Sequence, residues 1–172
     1  MEQNNKFNKN RAFTLIEVSV AVFFITVGVL GAFTLIEQVV SYTSVSSSYL
    51  VTNYLSQEGI EIVRNIRDTN WLEGEAWDNG ITCSLPPCFF EADYTDQSLS
   101  SYLDRYLYIN GNNSFYTYID SPLPGDTKTK FKRKIIITPQ ESDILKVSVQ
   151  VKWQERGKDH QVTAQENLYN WW

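Results

Sequence analysis

RAFTLIEVSVAVFFITVGVLGAFTLIEQ, from Arg11 to Gln38, decides the architecture. Between Glu17 and Glu37 there is no charged residue, and the run Val18 to Ile36 is nineteen residues long. Its apolar character begins earlier, at Ala12. A helix needs roughly 20 such residues to cross a bilayer. The polar segment before it, Met1 to Arg11, carries Lys6, Lys9 and Arg11 against Glu2. Basic residues that flank an apolar run stay on the cytoplasmic side. The expected topology is N-terminus inside and everything after about residue 37 outside.

Around this run the chain looks ordinary. It has 172 residues, of which 42% are apolar and 20% charged, values typical of a folded domain with room for an appendage. Aromatics reach 14%, which argues against disorder throughout. The net charge of −5 argues against a protein that grips nucleic acid by neutralising phosphates. A mean hydropathy of −0.31 describes a soluble protein. That figure averages a strongly apolar N-terminal stretch with a polar, acidic remainder.

Three readings compete for the apolar run. A secretory signal has a shorter core, about 7–15 residues, followed by a small-residue cleavage site. Here Gly28-Val29-Leu30-Gly31-Ala32 is followed by further apolar residues, Phe33 to Ile36. A plain membrane anchor fits the length but not Glu17. A carboxylate inside a membrane helix costs on the order of 2.5–3.5 kcal/mol at the centre and less near an end. With no basic residue close by in the same helix, Glu17 points to a partner on another chain.

The third reading rests on Lys9-Asn10-Arg11-Ala12-Phe13-Thr14-Leu15-Ile16-Glu17-Val18. This segment resembles the leader junction of type IV prepilins and type II secretion pseudopilins. That family has a short basic leader, a cut just before a Phe, and a Glu as fifth residue of the mature chain. The residue before the cut is usually Gly; here it is Ala12, which is also small. The resemblance implies cleavage between Ala12 and Phe13 by a membrane-embedded prepilin peptidase, which then methylates the new Phe13 amine. It also gives Glu17 a role: neutralising the Phe13 amine of a neighbouring subunit as that subunit joins a filament. Gln57-Glu58-Gly59-Ile60-Glu61-Ile62-Val63-Arg64 and the end of the chain, Val162 to Trp172, resemble the minor pilin group of PilV or the secretion pseudopilin I. The implied protein is a non-enzymatic minor subunit, without cofactor, that helps to prime filament assembly. Its implied partners are the peptidase, other pilins, an inner-membrane assembly platform and the bilayer. A membrane-anchored module whose aromatic head binds a ligand is the alternative.

Beyond the membrane the pattern stays helical. No Pro occurs from Gln38 to Arg67, and Val51, Leu55, Gly59, Ile62 and Ile66 keep one face apolar. Phe13 to Arg67 would make one helix of 55 residues, about 80 Å long. Gly59 interrupts the stripe and is expected to mark a close contact with a sheet. Gly28 with Ala32 forms a small-xxx-small pair of the kind that lets membrane helices approach closely.

The C-terminal part alternates. Leu145, Val147, Val149, Val151 and Trp153 are separated by polar residues, a period of two. Phe131 to Thr138 precedes it across a loop at Pro139–Asp143. His160 to Tyr169 follows across Glu155–Asp159. The expected fold is α+β and pilin-like, a long N-terminal helix with a C-terminal antiparallel sheet. The divisions are leader 1–12, membrane and assembly half 13–37, packed helix 38–67, variable region 68–130 and three-stranded sheet 131–172. Within the variable region, 106–109 and 115–119 form a small hairpin. Most of its aromatics (Trp71, Trp77, Tyr94, Tyr102, Tyr106, Tyr108, Tyr116, Tyr118) are expected in the core.

Few residues invite chemistry. Cys83 and Cys88 flank Ser-Leu-Pro-Pro, a spacing that suits a disulfide-closed loop outside the membrane. Free thiols or a metal site are the other readings, though the one histidine, His160, is distant. His160 is expected at a surface turn. Acidic residues at Glu73, Glu75, Asp78, Asp93 and Asp96 read as solvated loops rather than a Ca²⁺ site. Lys128, Lys130, Lys132, Arg133 and Lys134 form the one basic run. Strand alternation would split it between two faces.

Overall fold

In the computed structural model, residues Phe13–Trp171 are described; the leader, with Ala12, and the terminal Trp172 lie outside the described residues. Helix α1 (Leu15–Glu73) is 59 residues long. It starts two residues later than the pattern predicts because Thr14 caps it: the Glu17 N–H donates to Thr14 Oγ1 at 3.3 Å. It also runs six residues past Arg67. Gly74, at φ +74°, supplies the left-handed stop. The Glu75 N–H then reaches the Asn70 carbonyl at 2.9 Å and the Gly74 N–H reaches that of Trp71 at 3.3 Å, a Schellman ending. The stop signal was Gly74, and the polar residues before it concealed the last turns.

By packing, the chain separates into two units, one ending at Ser44 and the other beginning at Val45. In the second unit α1 is followed by β1 (Cys88–Glu91), β2 (Ser100–Ser101), β3 (Tyr108–Ile109), β4 (Tyr116–Thr117), β5 (Thr127–Lys128), β6 (Phe131–Glu141), β7 (Ile144–Glu155) and β8 (Lys158–Tyr169). The fold is α+β, as the alternation predicts. The main sheet is antiparallel with order β2-β1-β6-β7-β8. The expected three-stranded meander is therefore present but widened to five strands. Cys88–Phe90 pairs with the other edge of β6, against Ile135–Ile137. Four residues of Cys-Phe-Phe-Glu carry too little alternation to announce a strand.

Turn chemistry fixes the register. Between β7 and β8, Arg156 (φ 53°) and Gly157 (φ 72°) both have positive φ, the signature of a two-residue I′ hairpin. Between β6 and β7 the loop is shorter than expected. Strand β6 continues through Pro139 by shifting register between Pro139 and Glu141, a position where a proline does not break the ladder. The small hairpin forms from β3 and β4, and β5 adds a third strand to it.

One face of the main sheet covers α1. Ile62, Val63 and Ile66 pack with Ile135, Ile137, Val147 and Val149; Leu55 packs with Leu107, Phe131, Val151 and Trp153. The predicted stripe is therefore the buried one. Gly59 is the close contact expected of it: a Cβ there would stand 2.8 Å from Val149 Cγ1. The aromatics meet expectation only in part. Of the eight named above only Trp77 is buried; Tyr94 and Tyr106 are exposed and the others half-buried. Trp71, Tyr116 and Tyr118 pack against the core clusters from their edges, and Arg67 lies 4.6 Å from the Trp71 ring and Arg105 4.8 Å from that of Tyr118.

Candidate functional site

The residues that stand out functionally begin at Phe13. Its side chain is exposed, and so are twelve large apolar side chains between Val18 and Ile36, which no other part of the described chain buries. Burying a side chain of that kind is worth about 1.5–3 kcal/mol. Leaving twelve uncovered forgoes on the order of 20 kcal/mol or more. The polar side chains in this run behave as they would in lipid. Ser19, Thr26 and Thr34 each donate a hydroxyl to the carbonyl three residues back, on Ile16, Phe23 and Gly31, at 2.8–2.9 Å. No polar group in the run's side chains needs water. The segment has the length and composition of a single-pass membrane anchor, and α1 contains the one such span among the described residues.

Glu17 lies at the third helical position, one turn beyond Phe13 in sequence. The Thr14 cap satisfies its backbone N–H. Among the described residues its carboxylate has no ion-pair partner. Gly28 and Gly31 have open space where a Cβ would project, so this stretch is free for a neighbouring helix. Ala12, the other residue of the expected cut, lies outside the described residues.

The remaining sequence candidates sit in the second unit. Cys83 and Cys88 form a disulfide with Cα atoms 5.8 Å apart, closing the loop that leads into β1. Asp93 is not solvated but buried. Burial raises its pKa, yet hydrogen bonds from Thr117, Thr95 and the Tyr118 N–H outweigh that and hold it below the usual carboxylate value. Asp96 accepts from the Asp93 N–H at 2.8 Å. These two carboxylates are committed to backbone and hydroxyl donors. Among the described residues no group of three or more His, Cys, Asp or Glu converges on one point. His160 is on β8 rather than at a turn. Its ring stacks on Trp153, with centroids 5.0 Å apart, because the two residues are direct cross-strand partners.

The basic run splits as alternation requires, but unequally. Arg133 turns inward and is fully buried. Its Nη1 donates to the Leu55 carbonyl at 3.1 Å and faces Glu58 at 3.3 Å; its Nη2 donates to the Ala92 carbonyl at 2.5 Å. It thereby ties α1 to the sheet and to the end of β1. On β6, Lys132 and Lys134 alternate with it and lie on the opposite face. Lys128, Lys130 and Lys132, with Lys152 of β7, line a cleft of about 910 Å³ walled by Asp104 and Tyr106. Alternation predicts the split along β6, whereas the cross-strand neighbour Lys152 follows only from the register.

No family model, curated protein or solved structure matches this chain.

Proposed function

We propose that this chain is a minor subunit of a type IV pilus-like filament or type II secretion pseudopilus, stored in the inner membrane and processed by prepilin peptidase before assembly. The observation that carries this reading is the junction Arg11-Ala12-Phe13-Thr14-Leu15-Ile16-Glu17 set directly against an uncovered apolar helix. Support comes from α1 itself, whose apolar part continues without interruption into the part that packs on an antiparallel sheet. A helix of that length serves two settings: lipid while the subunit is stored, and like helices once it is assembled.

In this reading the peptidase cuts before Phe13 and methylates the new amine. The amine and Glu17 of an adjacent subunit then leave water together. Each ion alone would be strongly penalised in an apolar setting, so pairing fixes the axial register. Glu17→Ala is expected to leave membrane insertion intact and to lower recovery in sheared filaments by tenfold or more, read by quantitative immunoblot of the two fractions. Normal recovery of the variant in filaments would contradict the role given to Glu17. A plain anchored binding module would instead keep an intact Met1 terminus in cells.

A further inference from the structure

Strand β8 is an open edge of the main sheet, and it is long. It pairs with β7 over twelve positions without a register shift. The other open-edge strands among the described residues, β2, β4 and β5, are two residues each. The Arg156–Gly157 hairpin makes Glu155 and Lys158 a hydrogen-bonded pair, so the even-numbered residues of β8 bond to β7. The Asn170 N–H continues that parity, donating to the Asp143 carbonyl at 2.9 Å. The odd-numbered residues, Gln161, Thr163, Gln165 and Asn167 among them, therefore turn their N–H and C=O groups away from the sheet. These four are exposed, and among the described residues no other strand pairs with them. Edges are usually guarded by lysine, proline, a bulge or an overlying segment. From Gln161 to Gln165 there is no charge, no proline and no register shift.

The order of residues along β8 indicates what fits this edge. When two copies pair antiparallel, outward-turned residues face outward-turned residues, which fixes the parity of the register. The two longest registers so allowed centre on Thr163, using residues 158–168, or on Ala164, using 159–169. The first sets Thr163 against Thr163, Gln161 against Gln165, Val162 against Ala164, His160 against Glu166 and Asp159 against Asn167, with no like charges opposed. The second sets Val162 against Glu166 and His160 against Leu168. The Thr163 register is the complementary one, and it closes about ten backbone hydrogen bonds across the join. Its dyad stands normal to the sheet and reverses the packed part of α1, which runs beside β8 from Tyr49 near His160 to Arg64 on Glu166. The contact is therefore distinct from a side-by-side packing of parallel helices.

We propose that β8 is a self-recognition edge, at which two copies of this chain join antiparallel about Thr163 into one continuous sheet. The inference goes beyond the filament reading and does not depend on it. Native mass spectrometry of the full chain, released from detergent micelles, tests it. The expected result is a dimer whose fraction rises with protein concentration. Thr163→Lys and Thr163→Glu should each weaken dimerisation about fivefold or more, because like charges then face each other across the dyad. Mixing the two variants should restore a dimer containing one of each, a gain that misfolding cannot imitate. A monomer at every concentration would overturn the proposal and leave the edge to an extended segment of another protein. A dimer that both variants keep would be held elsewhere and would overturn it too. So would a failure of the mixed variants to pair, which would place Thr163 away from the dyad.

Discussion

Glu17 follows a Thr14 cap at the start of α1, where the positive end of the helix dipole favours a carboxylate. That effect is worth about 0.3–1 kcal/mol, against about 2.5–3.5 kcal/mol for a carboxylate deep in a bilayer. The helix start therefore offsets part of the cost, and the proposed partner cation on another chain accounts for the rest. At Gly59 the balance also favours a specific contact. Ala would gain about 1 kcal/mol in helix propensity. Its Cβ would press 2.8 Å against Val149, a stiff side chain within the core, and overpacking typically costs about 1–3 kcal/mol. Gly59→Ala is expected to lower stability by about 1 kcal/mol net, a drop of a few degrees in the thermal midpoint by circular dichroism. An unchanged or raised midpoint would show that the helix and sheet are not in close contact there. Asp93 sets a pH dependence. Its folded pKa lies below its unfolded value of about 3.9, so its contribution is complete above that value and is lost as pH falls through the folded pKa. Acid denaturation should begin near pH 4, and Asp93→Asn should flatten that limb of the stability profile while lowering stability at neutral pH.

At the scale of elements, what was legible in the sequence followed from periodicity. Val18 to Ile36, the Leu55–Ile66 stripe and the alternation from Leu145 to Trp153 each repeat long enough to identify a helix or strand. The short strands β1, β2 and β5 do not. They exist because β6, β1 and β3 offer edges to pair with, a tertiary fact. Of the aromatics of the variable region, Tyr94, Tyr102, Tyr106 and Tyr108 fall outside the core clusters for a related reason: aromatic mass is used both in a core and at the surface, and composition does not separate the two. The disulfide was legible because two cysteines five positions apart around Pro-Pro have few other geometries. It closes a small loop, for which the chain-entropy argument gives about 2 kcal/mol. Cys83→Ser/Cys88→Ser should lower stability by about that amount, and hydrogen exchange should rise in the 81–88 loop while β6 and β7 stay protected. Global loss of protection would mean that the loop, not the helix–sheet core, holds the second unit together.

For the whole molecule, the charge and hydropathy averages describe neither part. Removing the leader would take the net charge from −5 to −7, with 12 basic and 19 acidic residues remaining. Among the described residues the apolar stretch of α1 stays exposed, whereas the unit beginning at Val45 has its own core. Such an arrangement needs a second environment for that stretch. In the proposed function that environment is the membrane and then a filament, entered after cleavage. Mass spectrometry of the N-terminal peptide, from membranes and from sheared filaments of the same cells, tests this most directly. The expected result is a terminus at Phe13 carrying one methyl group in both fractions. An intact Met1 terminus in the membrane fraction, with no Phe13 terminus anywhere, would contradict it.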